Sequence, residues 1–452
     1  MLPAQPQHPD TNSHGYLDSL TLSSLCFLMI QINFLFLGFL AVFLLRSATQ
    51  MLLNRLNISH LRTYGIRVPE GFQDVVDGEK LKQASAYNAE SEHFHLIATI
   101  VEQGLYLAVL LSGLLPLLVK MIRQWTEGSV IGGLIFFAIL SGAANLLRIP
   151  FSLYETFVIE NRYGFNTITP KIWISDLLKG IVVSAVLGGL ILWLLLTLVA
   201  HGGEAWWVWA WMVAGGFEIL MLWLFPVLIA PLFNRFDPIE NRVLEDRIGA
   251  LMEKTGLRAK GVFKMDASKR SKHTNAYFTG VGKSKRIVLF DTLLASHSEE
   301  EILAVLAHEI GHWKRRHLVK EILLLETVSL VLFYYASRCL GWTLLYQTFG
   351  FEEPVTYAGL FLSGVLIGPL GFFAHPLESG ISRRFEREAD DFVKKLLKTV
   401  EPMRSALKRL AADNLANLTP HPLYAWFYYS HPPLVERISG LRDDEAQDSK
   451  IE

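Results

Sequence analysis

Seven apolar runs dominate the chain, at about 22–45, 97–119, 129–147, 179–200, 205–230, 321–347 and 356–375. Runs of this length, coiled as helices, are long enough to cross the hydrocarbon core of a bilayer. In lipid each backbone polar group must find its partner within the protein, so such runs fold as helices. With 51% hydrophobic and only 19% charged residues, the whole chain is more apolar than an ordinary soluble domain. The reading is an α-helical integral membrane protein with about seven transmembrane helices.

The remaining segments divide the 452 residues. Residues 1–21 form a polar tail without a basic n-region, so no cleavable signal peptide is expected. Residues 22–230 hold spans one to five and their loops. Two hydrophilic segments, 231–320 and 376–442, flank the last two spans at 321–375, and 443–452 form a C-terminal tail. Both hydrophilic segments can therefore meet on one membrane face as a single domain. Lys and Arg are absent from the first 21 residues and frequent at 46–96 and 148–178. This bias places the N-terminus outside and the domain in the cytoplasm, with Lys120 and Arg123 discordant. The net charge of −1 gives no basic excess for nucleic acid. Cys26 and Cys339 lie in apolar runs and read as buried thiols, not a disulfide. Nothing in the sequence sets an oligomeric state.

The chemistry is carried by Ala307-His308-Glu309-Ile310-Gly311-His312-Trp313. Two histidines four apart share one helical face and can reach one metal ion, and Glu309 falls near that face as a general base toward water. The context is helical. Ser298 followed by Glu301 is a capping box, acidic residues fill the first turn, and Ile302, Leu306, Ile310 and Trp313 recur at helical spacing. Upstream, 261–266, 275–279 and 286–291 read as short strands of a small sheet, with a turn at Gly280–Lys283.

A catalytic zinc needs a third protein ligand. Glu386 and Asp390, four apart after the last span, suit a ligand and a carboxylate that holds the outer nitrogen of a ligand histidine. Spacing leaves Glu388 and Asp391 open, as it does a solvated helix with Arg383, Arg384 and Arg387 around it. Glu102, Gln103, Asn145, Glu218, Glu326 and Arg338 fall inside predicted spans, where they face either helix partners or a water-containing cavity.

Taken together, these motifs resemble those of the type I CaaX prenyl endopeptidases, membrane zinc metalloproteases that process prenylated proteins. The resemblance rests on His308–Trp313, Ser382 with Glu386–Asp390, Ser271–Gly280, Arg286–Leu294, Pro231–Phe236, Gly164–Asn166 and Ser430–Pro433 with Glu436-Arg437. It implies His308, His312 and Glu386 as ligands of one Zn2+, Glu309 as base and proton shuttle, and Asn275 and His431 near the scissile bond. Asn275 could hold the peptide backbone and His431 the oxyanion, while Asp390 and Arg437 would stand behind the ligands. It further implies seven tilted helices around a water-filled chamber, closed on the cytoplasmic side by a mainly helical zincin-like domain.

The expected function is peptide-bond hydrolysis in substrates that are prenylated at the C-terminus in this family. Asp448–Glu452 form no retrieval signal, and the compact length fits a bacterial inner-membrane protein, with the endoplasmic reticulum the site in a eukaryote. Two alternatives use the same residues differently: a membrane quality-control protease without a lipid requirement, and a non-proteolytic protein that binds or clears chains stalled in a translocon.

Overall fold

The structure, a computed structural model, describes residues 30–126, 128–257, 260–280 and 286–441. The polar tail at 1–21, Cys26 and the C-terminal tail lie outside them.

The first helix, α1 (Phe34–Tyr64), starts at Asn33, whose side chain accepts from the Leu35 and Phe36 amides. It outruns the apolar stretch expected at 22–45, because residues 46–64 contain neither Gly nor Pro and every one of them tolerates a helix. Helix α2 (Gly78–Leu111) is capped by Asp77 and also begins well before its apolar run. A left-handed Gly113 then turns the chain into α3 (Leu114–Trp125). Three long helices follow: α4 (Ser129–Arg162), α5 (Pro170–His201) and α6 (Gly203–Phe233).

Helices α1, α2, α4, α5 and α6 are each long and apolar enough to cross a membrane. After a four-stranded sheet and its helices come α10 (His317–Leu340), α11 (Thr343–Thr348), α12 (Thr356–Phe372) and α13 (His375–Leu396). Helices α12 and α13 pass the same test only as a pair bent by 57°. Helix α10 is not among the candidates and carries Lys320, Glu321, Glu326 and Arg338. Among the described residues, five helices, or six with the bent pair, therefore stand where about seven spans were expected.

The hydrophilic segments form one domain. Its sheet contains β1 (Phe236–Pro238), β2 (Val262–Met265), β3 (Ala276–Thr279) and β4 (Arg286–Phe290) in the order β1-β2-β4-β3. Strands β2 and β4 run parallel, the outer pairs antiparallel, so β3 is an edge strand. The three sequence-predicted strands are present, and β1 is an addition. Helix α7 (Arg242–Lys254) joins β1 to β2, and α8 (Asp291–Ser296) follows β4.

Helix α9 (Glu299–Lys314) runs through the middle of this domain. The Ser298 capping box forms as expected, with reciprocal bonds between Ser298 and Glu301. Its Ile302, Leu306 and Ile310 pack against Val262, Ile287 and Leu289 of the sheet. Its Ala304 and Ala307 face Val393 of α13 and Met403 and Leu407 of α14 (Glu401–Asp413). Two short helices, α15 (Pro422–Tyr428) and α16 (Leu434–Gly440), close the domain. Phe72 and Val76, from the segment joining α1 and α2, and Leu81 from α2 itself enter the same core. The domain and the membrane helices are thus one packed unit.

Helices α9 and α13 meet at Gly311. A Cβ there would lie 3.0 Å from Ala389 Cα and 3.2 Å from its carbonyl oxygen, backbone atoms that cannot swing away. Replacing Gly311 with Ala should cost roughly 1–3 kcal/mol by overpacking. Gly311→Val should force the helices apart and, with them, the two histidines from Glu386. Thermal melting and bound-metal content should both fall, and an unchanged metal content in Gly311→Val would show that this approach does not set the site.

Candidate metal centre

His308 and His312 project from α9 and Glu386 from α13, and the α9–α13 crossing brings the three together. Their ligand atoms lie within 4.8 Å of one another. His308 Nε2 is 3.2 Å from His312 Nε2 and 3.2 Å from Glu386 Oε2, and His312 Nε2 is 3.2 Å from Glu386 Oε1. Tetrahedral bonds of about 2.0–2.1 Å put neighbouring ligand atoms about 3.3 Å apart, so the cluster has the dimensions of a zinc site. Two further features suit a cation there. Glu386 Oε2 is buried and accepts no hydrogen bond. With both ring protons on the outer Nδ1 atoms, the facing Nε2 atoms present lone pairs to each other, an arrangement that a cation between them relieves.

The outer nitrogen of His308 is held by a buried charge network. His308 Nδ1 is 2.9 Å from Asp390 Oδ1. Arg437, from α16, grips Asp390 with two parallel bonds, Nη2 to Oδ1 at 2.7 Å and Nε to Oδ2 at 2.9 Å. Its Nη1 lies 3.5 Å from Glu386 Oε2. Asp390 thus contacts the outer nitrogen of His308, and Arg437 lies behind Asp390 and beside Glu386. Glu388 and Asp391, left open by spacing, point elsewhere: Glu388 to His317 and Arg384, Asp391 to Lys394.

His431 comes from the loop between α15 and α16, with Nε2 3.2 Å from Glu386 Oε1. Ser430 Oγ is 3.0 Å from its Nδ1. A hydroxyl donating there leaves the ring proton on Nε2, the nitrogen turned toward the site. Asn275 sits at the head of β3, beside α9, with its side-chain oxygen accepting from the Ala276 amide at 2.8 Å. Among the described residues no hydrogen bond links it to the three ligand residues.

Electrostatics match these roles. Burial pushes Glu309 above the ordinary carboxylate value, as a general base requires. For Glu386, burial opposes the charge, but the neighbouring His308 and His312 rings outweigh it and hold the carboxyl well below the usual range. For His308, burial opposes protonation, and the carboxylates of Asp390 and Glu386 overcome it, raising the metal-free imidazole to about 9.

One neighbour was not anticipated from sequence. His317 lies beyond the end of α9, outside the four-residue spacing that identifies ligands, yet its Nδ1 is 3.0 Å from His312 Nδ1.

Comparison with known proteins gives a consistent pattern. Residues 57–235 match a family model described as CAAX prenyl protease N-terminal, five membrane helices, and residues 238–445 match Peptidase family M48. The CAAX prenyl protease 1 homolog of Oryza sativa subsp. japonica is 35% identical, over 84% of this chain and 91% of that protein. CAAX prenyl protease 1 of Saccharomyces cerevisiae is 33% identical over 83% and 88%, and the Homo sapiens homolog 30% over 83% and 88%. The crystal structure of S. mikatae Ste24p superposes with a TM-score of 0.85 at 31% identity, covering 91% of this chain and all (100%) of that one.

The raised pKa of His308 has a measurable consequence. In the metal-free protein the ring is protonated at neutral pH, and that proton must leave when a metal binds. Metal affinity should therefore rise with pH and level off above about 9. The stability supplied by the charged ring runs the other way: it is complete below about 6.5 and lost as pH rises through about 9. Metal titrations in weak buffer at pH 7 should release protons, and a pH-independent affinity would contradict the assignment.

Proposed function

Because the chain belongs to the type I CaaX prenyl protease family, membrane metalloendopeptidases of peptidase family M48, we propose that it is a zinc enzyme whose ligands are His308, His312 and Glu386. The observation that carries this reading is the triangle of ligand atoms 3.2 Å apart, with Glu309 on the same helix as two of them. Zinc held there would lower the pKa of a water and polarise the scissile carbonyl.

The protein's own groups complete the hydrolysis. Glu309 takes the proton from the attacking water and returns it to the leaving amine. His431 donates Nε2–H to the oxygen that gains charge as the carbonyl becomes tetrahedral. Edge strand β3 offers unpaired backbone groups along which a peptide can add as a further strand, and Asn275 lies at its start. Asp390 and Arg437 keep the His308 ring and the Glu386 carboxylate in place.

The substrate reading follows the relatives' names: proteins ending in a CaaX sequence and carrying a prenyl group. A lipid-modified peptide needs both an apolar and an aqueous environment, and the spans supply features of each. Only 6% to 17% of the most apolar window of each of the five candidate spans is buried within the molecule, leaving wide apolar faces for lipid. Polar side chains within the spans find each other: Ser47 with Gln103 at 2.7 Å, Gln103 with Gln50 at 3.0 Å, and Arg148 with Glu102 at 3.2 Å. The first pairs are helix–helix contacts, whereas Arg148 and Glu102 stay 67% and 40% exposed while paired, which suits tilted helices around a water-filled chamber. The Lys/Arg bias supports a cytoplasmic zinc domain.

Detergent-purified protein offered farnesylated and unmodified CaaX peptides tests the reading. Lipid-dependent cleavage is the expected result, and equal cleavage of both peptides would point to quality-control proteolysis instead. Glu309→Gln should retain zinc and lose turnover by about 10²–10⁴-fold. His431→Ala should lower kcat by about 10²–10³-fold, the range for removing one oxyanion donor. Full turnover in either variant would remove that residue from the mechanism.

A further inference from the structure

His317 is the first residue of α10, and the chain reverses through Arg315 and Arg316 to place it there. Arg316 adopts φ 56° and ψ 38°, in the left-handed region. For a side chain with a Cβ this conformation is strained, and it persists where the surroundings over-determine the backbone. The reversal folds His317 back onto the metal helix. Its Nδ1 lies 3.0 Å from His312 Nδ1, and its Nε2 lies 3.2 Å from Glu388 Oε2. The ring is only 1% exposed as a residue and stacks on Phe385, with centroids 4.2 Å apart and planes at 8°.

The proton positions on this chain are constrained. To bind a metal through Nε2, His312 must carry its proton on Nδ1. Across 3.0 Å, His317 Nδ1 must then be the acceptor. A neutral His317 consequently carries its own proton on Nε2, where Glu388 accepts it. Each nitrogen and the carboxylate oxygen has one consistent role. His308 is held differently, by Asp390 directly and Arg437 behind it. The two ligand histidines thus have unlike supports: a buried carboxylate for one, a neutral imidazole anchored on a partly exposed carboxylate for the other.

We propose that His317 and Glu388 are positioning residues for zinc: His317 fixes the tautomer and ring orientation of His312, and Glu388 fixes those of His317. The proposal rests on His312 being a metal ligand. The competing account is that His317 only fills space against Phe385 at the start of α10.

The test is zinc affinity of the full-length, detergent-purified protein, measured by competition with a chromogenic chelator. His317→Leu keeps similar bulk and an apolar contact with Phe385 but removes the acceptor, and it should weaken zinc binding by about 10–100-fold, the range for lost outer partners of a metal ligand. His317→Asn places a carbonyl oxygen near the former Nδ1 and should recover most of that loss. Glu388→Gln should weaken binding in the same direction, by less, because its carbonyl still accepts. Melting of the metal-free protein should be alike in all three. Wild-type affinity in His317→Leu, or equal losses in the Leu and Asn variants, would overturn the proposal in favour of space filling. His312→Ala is the reference: undiminished zinc binding there would overturn the ligand reading itself, and the proposal with it.

Discussion

The contact between α9 and α13 at Gly311 is the constraint on which the site depends. Two helices carrying the ligand pair and the third ligand must approach until backbone nearly touches backbone, and only a missing Cβ allows it. The same approach buries charge. Glu309, Glu386 and Asp390 stand against two cationic groups, Arg437 and the protonated His308 ring of the metal-free protein. Desolvating carboxylates is expensive unless a counter-charge or hydrogen bonds make up for it. Arg437 and the His308 proton supply it here, and a divalent cation between His308, His312 and Glu386 would replace that proton with a larger charge. A metal bound there would contribute to folding.

The membrane helices are tied to this domain by specific contacts. Lys408 of α14 reaches Asp74, in the segment between α1 and α2, at 3.0 Å. His273, just before β3, lies 3.2 Å from Glu160 and stacks on Phe165 at 4.0 Å, both near the end of α4. Arg270 takes Asp176 of α5 in two bonds, at 2.8 and 3.1 Å. The second and third of these flank the segment leading into the edge strand. They fix β3, and the helix α9 packed beside it, relative to the spans.

Much of this was legible in the sequence because it depends on local periodicity. The metal helix, its capping box and its apolar stripe all follow from spacing and appear as read. Most apolar runs were found, although α1 and α2 extend through polar residues that hydropathy does not register as helix. The choice of Glu386 over Glu388 was beyond spacing, since both sit on a charged helix. It came from the family resemblance; in the structure α13 turns Glu386 toward His308 and His312, with Glu388 drawn away to His317 and Arg384. His317 itself was not visible, because its position follows from a left-handed arginine, a conformation with no sequence signal outside glycine and asparagine. Strand β1, three residues long, is too short for alternation to mark.

The central claim concerns where the metal sits. Crystals of the full-length protein grown with zinc, measured on both sides of the zinc absorption edge, would locate it by anomalous difference. The account predicts one strong peak, about 2.0–2.2 Å from His308 Nε2, His312 Nε2 and a Glu386 oxygen. A peak elsewhere, one coordinated by Glu388, or none in protein that carries stoichiometric zinc would contradict it.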